Sequence, residues 1–246
     1  TDLLSKVDQT IKDIKGTAEV RKAMDAFYEA EKTGDITLYD KAAEALEAVV
    51  VKNPKHEDAD KMLWNAAISY EKAGKFASAL RVSQKIIDEY SQSEFMGDAL
   101  DKLADNAFHA FEYDKALTNY QLLADEPRFK DSPHRKPAVQ NVALILENQQ
   151  KYKDSAKYWK KYSEMESDQK MSMAAQWNAA RAYEKGKMWS NVVSEMTAFD
   201  KRFAGNGDAA DECVEANWAI AEAYKKQGKK KDYEKALAAV IGRYNS

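Results

Sequence analysis

The stretch from Trp64 to Phe76 reads Trp-Asn-Ala-Ala-Ile-Ser-Tyr-Glu-Lys-Ala-Gly-Lys-Phe. It returns 113 positions later, at Trp177 to Trp189, as Trp-Asn-Ala-Ala-Arg-Ala-Tyr-Glu-Lys-Gly-Lys-Met-Trp. A chain that copies itself at a long offset is built from repeated supersecondary units. Each unit buries its apolar face only against its neighbours. With 9 Gly and 4 Pro, turn punctuation is sparse, which suits helices joined by short turns better than a β-sandwich.

Weaker copies fill the rest of the chain. Tyr70, Ala107, Leu146, Tyr183 and Tyr224 stand late in five successive first helices, at spacings of 37, 39, 37 and 41. Before each lies a pair: Ala66-Ala67, Leu103-Ala104, Val142-Ala143, Ala179-Ala180 and Ile220-Ala221. The second member is always Ala, as expected where two helix backbones cross closely and helix propensity must be kept. Each second helix opens on an aromatic (Phe76, Tyr113, Tyr152, Trp189, Tyr233), expected to fill the wedge between paired helices. Three residues on come Ala79, Ala116, Ser155, Val192 and Ala236. An earlier unit carries Tyr39, Ala42, Leu46 and Pro54.

This ladder resembles the tetratricopeptide repeat, a helix-turn-helix of about 34 residues with a Tyr, an Ala and a terminal Pro. The resemblance implies an all-α, right-handed α-solenoid of stacked antiparallel helix pairs. It divides the chain into an N-terminal helix at 1–19, ended by Gly16, and about six repeats in 20–246. The repeats are expected at 20–54, 60–93, 97–132, 136–168, 173–206 and 211–246. Units longer than 34 resemble those of bacterial envelope proteins, such as the outer-membrane assembly lipoprotein and the Tol-Pal coordinator, and so imply a periplasmic or envelope location, with the cytoplasm as the alternative. The sequence departs from the pattern in places. Phe111 stands where a turn Gly is expected, and the last unit carries three extra turn residues, Lys229 to Lys231.

Two connectors stand apart. Residues 124–138 hold Pro127, Pro133 and Pro137, which predicts the longest and among the most mobile breaks between helices. Gly205-Asn206-Gly207 predicts a second loose link. The N-terminal residues Leu4, Val7, Ile11 and Ile14 form one apolar helical stripe.

The residues offer little chemistry. A net charge of −3 argues against nucleic acid and anionic membranes as partners, and no apolar run is long enough to span a membrane. One cysteine, Cys213, excludes an internal disulfide framework and a thiolate zinc cage, and reads as a small buried hydrophobe. Asp105 and His109 share a helix face but have no further ligand beside them. No phosphate loop, nucleophile elbow or zinc-protease motif is present. The reading is therefore no enzyme, no cofactor and no metal.

Trp64, Trp177 and Trp218 each lie six residues before the late-helix register residue of their unit. In the family resembled, that slot faces the concave groove, flanked by slots three before and four after. The implied partner-binding set is Trp64, Ile68, Asp98, Asp101, Asp105, Trp177, Arg181, Trp218 and Glu222. A groove of aromatics and carboxylates suits a basic or apolar peptide or protein segment. Two readings follow. In one the chain is a non-catalytic scaffold that binds such a segment. In the other it is a structural section of a longer solenoid in a multiprotein envelope assembly. For each Trp taken separately, the alternative to the groove is packing against the neighbouring repeat.

Overall fold

The computed structural model describes the backbone of residues 2–244 and the side chains of residues 16–242. The stripe at Leu4, Val7, Ile11 and Ile14 lies outside the described side chains. The described residues form twelve α-helices, two 3₁₀ turns and no strand. The helices are α1 (Asp2–Thr33), α2 (Ile36–Lys52), α3 (Ala59–Lys72), α4 (Phe76–Glu89), α5 (Met96–His109), α6 (Tyr113–Asp125), α7 (Arg135–Asn148), α8 (Tyr152–Met165), α9 (Gln169–Lys185), α10 (Trp189–Phe203), α11 (Ala210–Lys226) and α12 (Lys230–Tyr244). They fall into two compact units, Thr1–Asn119 and Tyr120–Ser246.

The expected break at Gly16 is absent. Helix α1 runs through it without interruption, since a single Gly costs a helix interior only about 1 kcal/mol against Ala. The stop comes instead at Gly34, whose φ of 69° begins the turn into α2. Asp35 caps that helix, its carboxylate accepting from the Thr37 and Leu38 amides.

The turns inside the hairpins share one geometry. Residues 74, 111, 150, 187 and 228 all take positive φ, and the next residue's N–H bonds back five positions. Its acceptors are the carbonyls of Tyr70, Ala107, Leu146, Tyr183 and Tyr224, at 2.7, 2.8, 2.8, 2.9 and 3.0 Å. This is the Schellman closure, which satisfies carbonyls that a helix end leaves open. The register residues of the sequence are thus the residues whose carbonyls seal each turn. Only two of the five left-handed positions hold Gly; the others hold Phe111, Gln150 and Lys187. In the second Trp copy the Gly is displaced by one, to Gly186. A Cβ there would meet Tyr152 at 3.3 Å and run into the Met188 side chain, so close packing of helix ends accounts for it.

The alanine ladder is the helix-crossing line. Ala67, Ala104, Ala143 and Ala221 are 0% exposed and Ala180 is 3%. The aromatic ladder behaves less uniformly. Tyr113, Tyr152, Trp189 and Tyr233 are half-buried, but Phe76 is 60% exposed and fills no wedge. The small residue three further on is buried in every unit but the last. The three extra lysines of the last unit do not lengthen its turn. Lys229 closes the turn, and Lys230 and Lys231 extend α12 backwards, so that it starts three residues before Tyr233.

In the first unit α1, α2, α3, α4 and α5 pack in chain order around Leu46, Met62, Leu63, Val82 and Ile86. In the second, α7 to α12 pack likewise. One apolar cluster there joins α9, α10 and α11 around Met196 and Phe199, and another joins α7, α8 and α9 around Trp159. Between these clusters runs a polar seam. The Arg202 guanidinium donates to the hydroxyls of Ser163 (2.9 Å) and Ser172 (2.9 Å) and to the side-chain carbonyl of Gln176 (3.4 Å).

The interval between α6 and α7 is the longest break between helices, as its prolines predict. It is nevertheless well tied. Pro127–Phe129 forms a 3₁₀ turn with Phe129 buried. Lys161 and Arg135 both donate to the Ala124 carbonyl at its entrance, at 2.7 and 3.1 Å. Pro137 lies in the first turn of α7, where a missing N–H costs nothing. The second glycine-rich link is ordered as well. The Asn206 side chain caps the 3₁₀ turn Gly207–Ala209, and Ala209 is fully buried.

Candidate functional site

Trp64 sits on α3, half-buried against the first unit's core. Phe95 stacks on its ring at 6.1 Å and 17°, and the Lys102 ammonium stands 5.7 Å from the ring centroid. Lys102 is also paired with Glu71. The indole therefore joins α3 to α5, which is the packing arrangement that the sequence left as the alternative. Ile68, one turn on, is half-buried. Asp98, Asp101 and Asp105 do share one face of α5. The first two are half-buried and Asp105 is exposed, and each interacts with other groups of the chain.

Trp218 is different. It is 51% exposed on α11, with exposed Glu215 one turn before it and half-buried Glu222 one turn after. Glu222 pairs with Lys225 at 3.4 Å. On α9, Trp177 has its ring 5.6 Å from Phe199 and rests on the α9–α10–α11 core. Arg181, one turn on, is exposed.

On its other side Trp177 walls a cleft of about 510 Å³, lined by Lys170, Met173, Ala174, Trp177, Asp208 and Glu212. The first four recur at i, i+3, i+4 and i+7 and so form one face of α9. Asp208 and Glu212 come from the capped 3₁₀ turn and the first turn of α11, four residues apart. Both carboxylates escaped the sequence reading, which took Gly205-Asn206-Gly207 as a loose link. The available signal was Asn206, whose side chain can order such a turn. Trp218 does not line this cleft.

Three carboxylates elsewhere bridge helices. Glu47 of α2 accepts from Tyr70 of α3 (3.0 Å) and takes two bonds from Arg81 of α4 (2.5 and 2.8 Å). The Arg81 bonds hold its carboxyl below the ordinary range, while burial and the Glu47 carboxylate push the Tyr70 phenol up to about 12. Glu147 of α7 binds Trp159 of α8 (3.3 Å) and Lys185 of α9 (2.5 Å). The Asp125 carboxylate is held by Tyr158 and Lys161. Glu195 is buried with one side-chain oxygen unpaired, and its carboxyl is raised by that burial. Cys213 is buried. No group of three or more metal-binding side chains occurs among the described residues, and no described helix is long and apolar enough to cross a membrane.

Hairpins of near-identical turn geometry, crossed at a line of alanines and packed in chain order within each unit, define a helical-hairpin repeat protein. Residues 62–93, which cover most of the α3–α4 hairpin, match the family model of the tetratricopeptide repeat. A solved structure similar to this chain is a tetratricopeptide repeat protein from Parabacteroides merdae, at 16% identity and a TM-score of 0.51, covering 92% of this chain and 80% of that one. Another is the MamA protein, at 17% identity and a TM-score of 0.50, covering 88% and 96%. At these identities the likeness is one of fold. No curated protein matches the chain in sequence. The fold is thus like that of solved tetratricopeptide-repeat structures.

Proposed function

We propose that this protein is a non-catalytic interaction scaffold that binds a segment of another protein on the first-helix faces of its hairpins. The observation that carries the proposal is Trp218. A half-exposed indole on a rigid helix, between two carboxylates, loses little entropy when covered and offers large contact area. It is not part of the apolar cluster, to which α11 contributes Cys213, Ala216 and Ile220.

The test is Trp218→Ala, compared with the parent for melting and for capture of its partner from native extract. The expected result is a Tm near the parent's and capture weakened by at least about tenfold, the scale of a hot-spot truncation. Unchanged capture, or a large drop in Tm, overturns the assignment of Trp218. We also propose an envelope location, supported by repeat lengths above 34 residues. Recovery of the native protein wholly in the soluble cytosolic fraction removes that part.

A further inference from the structure

We infer that the Trp177 cleft is a receptor for one cationic side chain, an arginine, of the bound segment. The inference rests on the scaffold reading and adds the chemistry of what is bound.

The cleft presents an aromatic ring already fixed on one side by Phe199, so ordering it costs little at the moment of binding. Met173 and Ala174 supply an apolar floor for an aliphatic stem. Asp208 of the 3₁₀ turn and Glu212 of α11 line the cleft with Trp177 and make no ion pair among the described residues. That contrasts with Glu47, Glu147 and Asp125, each committed to a cation or a phenol between helices. Lys170 is the one positive group lining the cleft, so the two carboxylates leave it net negative. A planar guanidinium can lie on an indole and offer hydrogen bonds to carboxylates at its edge. An ammonium also attracts an aromatic face and donates hydrogen bonds, but it has no planar group to lie flat on the indole while its edge reaches the carboxylates.

A random linear peptide library displayed on phage is panned on the full chain. In parallel it is panned on the Asp208→Asn, Glu212→Gln double variant, whose substitutions keep shape and lie on the surface. The expected result is enrichment of peptides with an arginine at a fixed position. Their synthetic forms bind the double variant at least about tenfold more weakly. Replacing that arginine by citrulline, which keeps the shape and removes the charge, produces a similar loss. The Trp177 indole signal shifts on binding only in the arginine form. Enriched peptides that are acidic, or that bind parent and double variant equally, overturn the cleft assignment and leave the scaffold reading standing. A library that yields no binder overturns both.

Discussion

At the scale of single residues, the left-handed turn positions carry the clearest energetic signature. A side chain at positive φ costs about 1–2 kcal/mol relative to a position that Gly fills freely. Phe111 and Lys187 both accept that cost while being exposed. Lys187→Gly is therefore expected to raise stability by about 1 kcal/mol, and Gly74→Ala to lower it by a similar amount, both read from chemical denaturation midpoints. Glu195 is a second such residue. Its buried carboxyl is neighboured by the Gln176 amide and by the Lys160 ammonium, 4.0 Å away. Its folded pKa lies above the ordinary carboxyl value, so the folded chain holds the proton more tightly than the unfolded chain. Stability from this group is therefore lost as pH rises between the two values, and at pH 7 the ionised carboxyl is a net cost. Glu195→Gln is expected to gain about 1–3 kcal/mol at neutral pH and little in acid. Thermal unfolding of both proteins from about pH 4 to 7 checks this, and a Gln variant less stable at pH 7 contradicts it.

At the scale of elements, what joins one hairpin to the next is mixed. In the first unit apolar side chains cross the helices continuously. In the second the polar seam around Arg202 lies between the α7–α8–α9 and the α9–α10–α11 clusters. The guanidinium satisfies two buried serines and a buried glutamine at once. Arg202→Ala removes those bonds; each serine hydroxyl keeps its bond to the other serine's backbone carbonyl, so the Gln176 side-chain carbonyl is the group left without its partner, at about 1–3 kcal/mol where water does not reach it. The expected outcome is a variant destabilised well beyond an ordinary surface substitution, with hydrogen exchange accelerated first in α8 and α10. A variant as stable as the parent shows that the seam is solvated. The Pro-rich connector belongs to this scale too. Its prolines forbid helix and so predict a break, but they say nothing about what ties the break down. That is decided by Lys161 and Arg135, which converge on the Ala124 carbonyl from different helices.

At the scale of the molecule, a repeat protein distributes stability between neighbours. Leu63 is fully buried in the first unit's cluster. Leu63→Ala is expected to cost about 2–5 kcal/mol. Hydrogen exchange should rise through α1 to α4 and change little in α10 to α12; equal acceleration throughout would indicate a single cooperative block. The hairpin architecture follows from sequence alone because its causes are local. Ala recurs where backbones cross, and helix ends fall at fixed distances from the register residue. Those ends need no Gly, which is why Phe111, Gln150 and Lys187 could be placed by register but not by residue type. The shared slot of Trp64, Trp177 and Trp218 is likewise visible in sequence, whereas their different environments are not. Phe95 and Lys102 cover the first, Phe199 and an open cleft flank the second, and the third stands half in solvent. Exposure depends on side chains brought in from other helices. Asp208 and Glu212 meet Trp177 only because a capped turn folds the entrance of α11 against α9, a proximity that no spacing along the chain encodes.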